Sequence, residues 1–93
     1  MPPPVYHPAG QALIDQARQQ MAAGDLEAAG STLERGLRVD PDNPWIWIEL
    51  ARVRSAAGDV RGARSMASRA AGLASQDPEA EAAARRLLGS GVP

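Results

Sequence analysis

Gly24-Asp25-Leu26 recurs as Gly58-Asp59-Val60, an offset of 34 residues. Other positions repeat at the same distance: Leu13 with Trp47, Ala17 with Ala51, Ala29 with Ala63, and Gly36 with Ala70. Each Gly-Asp pair suits a tight helix–helix turn. Glycine tolerates the left-handed backbone that ends one helix, and the aspartate after it caps the next. Alanines at Ala17, Ala29, Ala51 and Ala63 let neighbouring helices approach closely. A hairpin repeated in this way leaves one apolar face uncovered, and the next hairpin must cover it. That requirement points to a stack of helices.

The spacing of apolar residues predicts five helices. The first runs over Ala9 to Ala23, with Leu13, Ile14, Ala17 and Met21 in helical register. The second runs over Leu26 to Val39, carrying Leu26, Ala29, Leu33 and Leu37. Asp40-Pro41-Asp42-Asn43 forms a turn. Pro44 then opens a third helix, reaching Ala57, with Asn43 as its N-cap and proline at a position where a missing N–H costs nothing. Trp45, Ile46, Trp47, Ile48 and Leu50 wrap apolar side chains around much of this helix, which predicts packing on several sides and a place at the centre of the stack. The fourth helix runs over Val60 to Ala74. Asp77-Pro78 repeats the cap-then-proline signal and opens a fifth, ending at Leu88. No stretch has the alternation of a half-buried strand.

A period near 34 residues resembles that of the tetratricopeptide repeat, over roughly Ala9 to Leu88. Trp47-x-x-Leu50-Ala51 is similar to the large-x-x-Leu-small pattern of that family, Ala63 to its helix-B alanine, and Asp40-Pro41-x-Asn43 to its closing turn. The resemblance implies an all-α, short right-handed α-solenoid of two hairpins and a closing helix. Its first repeat would span about 10–43, its second about 44–76, and its closing helix 78–88. Residues 1–8 read as a proline-rich lead-in and 89–93 as a frayed tail. Several positions depart from the pattern. Gln16 and Gln20 replace a leucine and an aromatic, Arg54 replaces an aromatic, and Ala67 is small. Asp77-Pro78 also falls 37 residues after Asp40-Pro41 instead of 34. Two repeats and a closing helix are at or below the usual minimum for stability, so self-association or flanking repeats are expectations for this chain.

Composition excludes several function classes. The chain has no cysteine, hence no disulfide or thiolate metal site. Its formal net charge of −1 provides no general attraction to nucleic acid or an anionic membrane. No run is long and apolar enough for a membrane span or the core of a signal peptide. The one histidine, His7, lies in the lead-in and reads as an exposed loop residue. No nucleophile–base pair, glycine-rich phosphate loop or metal-ligand cluster stands in the sequence. Asp40, Asp42 and Asn43 lack the remaining ligands of a calcium loop and are better explained by turn and cap chemistry. We therefore expect no cofactor, no metal and no catalysis.

The first helix of each hairpin, which the resemblance places on the inner groove, carries matching residues. In register these are Gln11, Trp45 and Glu79; Ile14, Ile48 and Ala82; and Arg18, Arg52 and Arg86. The expected partner-binding set is Ile14, Arg18, Trp45, Ile48, Arg52 and Arg86, an apolar strip beside a basic one. Arginine's planar fork suits carboxylates on a protein partner, and tryptophan is enriched among interface hot spots. Trp47 is assigned to the core.

The lead-in, with Ala12-Leu13-Ile14-Asp15-Gln16-Ala17-Arg18, Ala23-Gly24-Asp25-Leu26, Thr32-Leu33-Glu34-Arg35 and Asp40-Pro41-Asp42-Asn43-Pro44, is similar to small tetratricopeptide lipoproteins of Gram-negative envelopes. Some of those activate bifunctional penicillin-binding proteins, the peptidoglycan synthases. The resemblance implies a non-enzymatic interaction module in the periplasm, tethered to the outer membrane through a lipid anchor upstream of this segment. The alternatives are a cytoplasmic scaffold or chaperone that holds a partner peptide in its groove, and a subunit of an enzyme whose chemistry lies elsewhere in a longer chain.

Overall fold

The computed structural model describes residues 4–90. Five helices follow one another, with no strand among the described residues: α1 (Pro8–Ala22), α2 (Leu26–Val39), α3 (Pro44–Ala56), α4 (Val60–Leu73) and α5 (Pro78–Ser90). Helix α5 runs two residues past Leu88, the expected end of the closing helix, taking in Gly89 and Ser90; residues 91–93 of the expected tail, and residues 1–3, lie outside the described part. Pro8 is the first residue of α1, so the helix takes in the last residue assigned to the lead-in.

Side chains satisfy backbone N–H groups at the start of every helix. His7 Nδ1 accepts from Ala9 at 3.0 Å, Asp25 Oδ1 from Ala28 at 3.1 Å and Asn43 Oδ1 from Trp45 at 2.9 Å. Asp59 Oδ1 accepts from Gly62 at 2.9 Å and Asp77 Oδ1 from Ala80 at 3.1 Å. These groups have no partner inside the helix, which makes the cap the natural place for such residues. Gly24 and Gly58 have φ of 82° and 84°, the left-handed conformation that their hairpins require. Asp77-Pro78 takes the same cap-and-first-turn roles as Asn43-Pro44, 34 residues earlier. The helices thus keep their register, and the slip expected from comparing Asp77-Pro78 with Asp40-Pro41 is absent.

Helix α3 touches all four other helices, while α1 and α5 flank it without touching one another. The inner layer is therefore α1–α3–α5, and α2 and α4 cover its back. The smallest dimension of the molecule is 18 Å, about two helix diameters once side chains interdigitate. Helix α3 also joins the two parts of the core. Ile14, Ala17, Ala29, Leu33, Ile46, Leu50 and Val53 form one cluster, and Ile48 with Ala70, Ala74, Ala80, Ala83 and Ala84 forms the other. Trp45 and Trp47 pack against both.

Two departures from the repeat pattern have physical explanations. Gln20, standing in place of an aromatic, accepts from the hydroxyl of buried Thr32 at 2.7 Å, so a polar pair closes the first hairpin where ring packing is expected. The turn after α2 is fixed to the start of α1. Asp40 Oδ2 accepts from the backbone N–H of His7 at 2.9 Å and from Asn43 Nδ2 at 3.2 Å. A side chain on Gly10 would bring its Cβ within 3.2 Å of Asp40, so the lack of one permits that approach.

Candidate functional site

On the inner layer, a groove of about 490 Å³ opens between α3 and α5. Pro78, Ala82 and Ala83 give it an apolar floor beside Trp45. Arg52 and Arg86 supply positive charge, and Glu79 stands at its α5 side. Three of the six expected binding residues, Trp45, Arg52 and Arg86, thus meet at one concavity.

The other three lie elsewhere. Ile14 and Ile48 are 0% exposed. They belong to the core and support the face from beneath, so the expected apolar strip on the surface is reduced to Trp45. Ile14 of α1 packs into the cluster shared with α2 and α3, and Ile48 of α3 into the cluster shared with α4 and α5. Arg18 does not line the groove. It sits on α1 and donates to Glu49 Oε2 at 3.0 Å.

Glu49 is the residue that sequence reasoning missed. It is 1% exposed, and the same oxygen also accepts from Arg52 at 2.8 Å. A charge this deep must be paired, and charge-assisted bonds from two guanidinium groups pair it. The signal was present in the spacing. Glu49 precedes Arg52 by three residues, as Asp15 precedes Arg18, a distance that places both on one helix face. In α5 the matching position before Arg86 is Ala83, which leaves no carboxylate there. Arg86 accordingly has no hydrogen bond, ion pair or ring contact with another described residue.

Trp45 is held at the mouth of the groove. Its indole Nε1 donates to Asp77 Oδ2 at 2.9 Å, and the Tyr6 hydroxyl donates to the same oxygen at 2.6 Å. Burial raises the Asp77 pKa, but the bonds from Tyr6, the Ala80 backbone and Trp45 outweigh it and hold the carboxyl below its usual range. Tyr6 is pushed the other way, first by burial and then by its bond to Asp77 and the nearby charges of Asp77 and Asp40. Trp47 is half-buried rather than fully in the core. Its Nε1 donates to the Pro41 carbonyl at 3.3 Å, and Arg69 stacks over its ring, 5.4 Å from the centroid.

A second crevice, about 370 Å³, lies between α2 and the C-terminal half of α3. It is lined by Arg54 where the repeat pattern has an aromatic, and it contains none of the expected binding residues. Among the described residues there is no cluster of three or more metal-ligating side chains, and no helix is long and apolar enough to cross a membrane.

Comparisons with known proteins agree with this architecture. The globular C-terminal domain of LpoP from P. aeruginosa superposes with a TM-score of 0.87 at 32% identity, covering 94% of this chain and 82% of that one. Cellulose synthase operon protein C of Pseudomonas fluorescens (strain SBW25) is 42% identical over 43 residues, 46% of this chain. The matched stretch is only 3% of the length of that relative. A tetratricopeptide-repeat sequence profile matches residues 20–87, from the end of α1 through α5. With two hairpins turning on left-handed glycines, a closing helix and that match, the chain belongs to the tetratricopeptide-repeat family.

Proposed function

We propose that this chain is a non-enzymatic protein-interaction module that binds its partner along the α3–α5 groove, and that the partner is a bifunctional penicillin-binding protein whose peptidoglycan synthesis it activates. In this reading the domain works in the periplasm, tethered to the outer membrane through a segment upstream of the lead-in. The observation that carries the reading is the likeness to the LpoP C-terminal domain over 94% of the chain. The resemblance of the lead-in and repeat motifs to envelope lipoproteins that activate such synthases points the same way.

The groove has the chemistry of a docking site. Trp45 offers a half-buried aromatic surface, and the free donors of Arg52 and Arg86 suit carboxylates on the partner. Arg18 braces Arg52 through Glu49, so its part in binding is to hold its neighbour's guanidinium in place.

The test is direct. The purified chain is titrated against the periplasmic portion of a bifunctional penicillin-binding protein from the same organism, and glycan polymerisation is followed with and without it. Saturable binding together with a faster polymerisation rate is expected. Trp45→Ala should weaken binding by about 2 kcal/mol or more if the ring is a hot spot. Absence of both binding and rate change would remove the synthase as the partner. Binding unaffected by Trp45→Ala and by Arg52→Ala with Arg86→Ala, but lost on changes around Arg35 or Arg64, would move the site to the outer helices.

A further inference from the structure

Tyr6 lies outside every helix, two residues before α1. Its hydroxyl nevertheless reaches Asp77, across 71 residues of chain, at 2.6 Å. The oxygen it meets is the one that holds the Trp45 indole at 2.9 Å. The other oxygen of Asp77 caps α5 through the Ala80 N–H at 3.1 Å. One buried carboxylate thus binds together the lead-in, the groove tryptophan of α3 and the first turn of α5. Its chain neighbour Pro78 lines the groove with Trp45.

The chemistry of the bond is selective. Short bonds to an ionised acceptor are stronger than neutral ones, and they fix geometry. Trp45 is only half-buried, so packing alone leaves its ring some freedom, and its N–H bond to Asp77 sets the pose. Removing the Tyr6 hydroxyl leaves Asp77 Oδ2 with one donor fewer and frees the carboxylate to turn towards water.

We infer that Tyr6 is a positioning residue of the groove. Acting through Asp77, it sets the pose of Trp45 and the start of α5, and it makes the lead-in a working part of the face that meets the partner. The last step rests on the groove being the partner-binding face. The positioning itself is tested without a partner.

In a Trp47→Phe chain Trp45 is the sole indole, and its emission and its quenching by acrylamide report its pose. Adding Tyr6→Phe should shift that emission to the red and raise quenching roughly twofold, with helix content by circular dichroism unchanged, because coupled neighbours respond together. Asp77→Asn is the second variant. Its amide oxygen still caps α5, but its NH₂ cannot accept from the phenol and indole. It should give the same shift, and Tyr6→Phe added to it should change nothing further. An unchanged emission with Tyr6→Phe, or shifts that simply add, overturns the positioning.

Binding to the penicillin-binding protein portion then tests the link to function. Tyr6→Phe should weaken it by about fivefold, roughly 1 kcal/mol. If Trp45→Ala weakens binding and Tyr6→Phe does not, the lead-in is not part of the working face and the inference fails. If emission shifts while Trp45→Ala, Arg52→Ala and Arg86→Ala all leave binding intact, the groove reading fails and the positioning of Trp45 by Tyr6 stands.

Discussion

Arg18 on α1 donates across the helix interface to Glu49 on α3 at 3.0 Å, and 2% of the Glu49 side chain is exposed. Arg52 shares the same oxygen from one turn further along α3. Both arginines keep 40% or more of their own side chains in contact with solvent, at 47% and 41%. The buried partner is therefore the one whose environment matters. Glu49→Gln keeps the volume and removes the charge, and should cost about 1–3 kcal/mol in thermal unfolding. Arg18→Ala and Arg52→Ala should each cost less, since either leaves Glu49 with one guanidinium. Together they should cost more than their sum, because the second removal strands the carboxylate. Additive losses would show that the two arginines do not share Glu49 in solution.

A different change tests the central role of α3. Leu50 is 3% exposed and sits in one core cluster, while Ile48 is fully buried in the other. Replacement of either by alanine leaves a cavity and should cost about 2–5 kcal/mol. Against a total stability of about 5–15 kcal/mol for an ordinary domain, either loss is large. Because α3 links both clusters, the two variants should unfold in one cooperative transition, each with a lower Tm. A two-step melt for either would mean that the clusters fold independently.

Much of this architecture was legible in the chain. The repeated Gly-Asp pairs gave the hairpins, and Asn43-Pro44 and Asp77-Pro78 gave the starts of α3 and α5. Those signals are local, since a cap and a left-handed glycine depend on a few neighbouring atoms. The site was only half legible. Repeat register placed Trp45, Arg52 and Arg86 on one face, but register does not say what covers a residue. Ile14 and Ile48 share that face and are buried by neighbouring helices. Glu49 was hidden because its role depends on Arg18, 31 residues away in the chain. The Tyr6–Asp77 bond spans 71 residues, and no periodicity marks it.

Tyr6 and Asp77 also set a pH dependence at both ends of the scale. The Asp77 pKa is depressed in the folded state. Its contribution is therefore present above the unfolded carboxylate value of about 3.9, and it is lost as pH falls through the lower folded value. The Tyr6 pKa is raised. Its contribution is present below the unfolded phenol value of about 10, and it is lost as pH rises from there towards the folded value. Tm measured against pH should fall on both sides. Tyr6→Phe should flatten the alkaline limb and Asp77→Asn should make the acid limb shallower. Unchanged limbs in both variants would show that the bond contributes nothing to folding.

Arg18 and Arg86 occupy equivalent positions in the repeat, and their environments predict opposite phenotypes. Arg18 is committed to Glu49, whereas α5 carries Ala83 at the corresponding place and Arg86 lines the groove without a partner among the described residues. A solvated, unpaired arginine contributes little to stability, so Arg86→Ala should leave the unfolding free energy within about 0.5 kcal/mol of that of the unaltered chain, with Tm barely moved. Its charge should instead be felt by an approaching anionic partner. With the penicillin-binding protein portion as the titrant, Arg86→Ala should lower the association rate and weaken its dependence on salt, as rim charges do. Arg18→Ala should do the reverse, lowering Tm and affecting binding only through Arg52. Stopped-flow association at two ionic strengths, with thermal melts of the same samples, separates the two. Equal effects of both substitutions on Tm and on rate would mean that the missing carboxylate at Ala83 makes no difference to what Arg86 does.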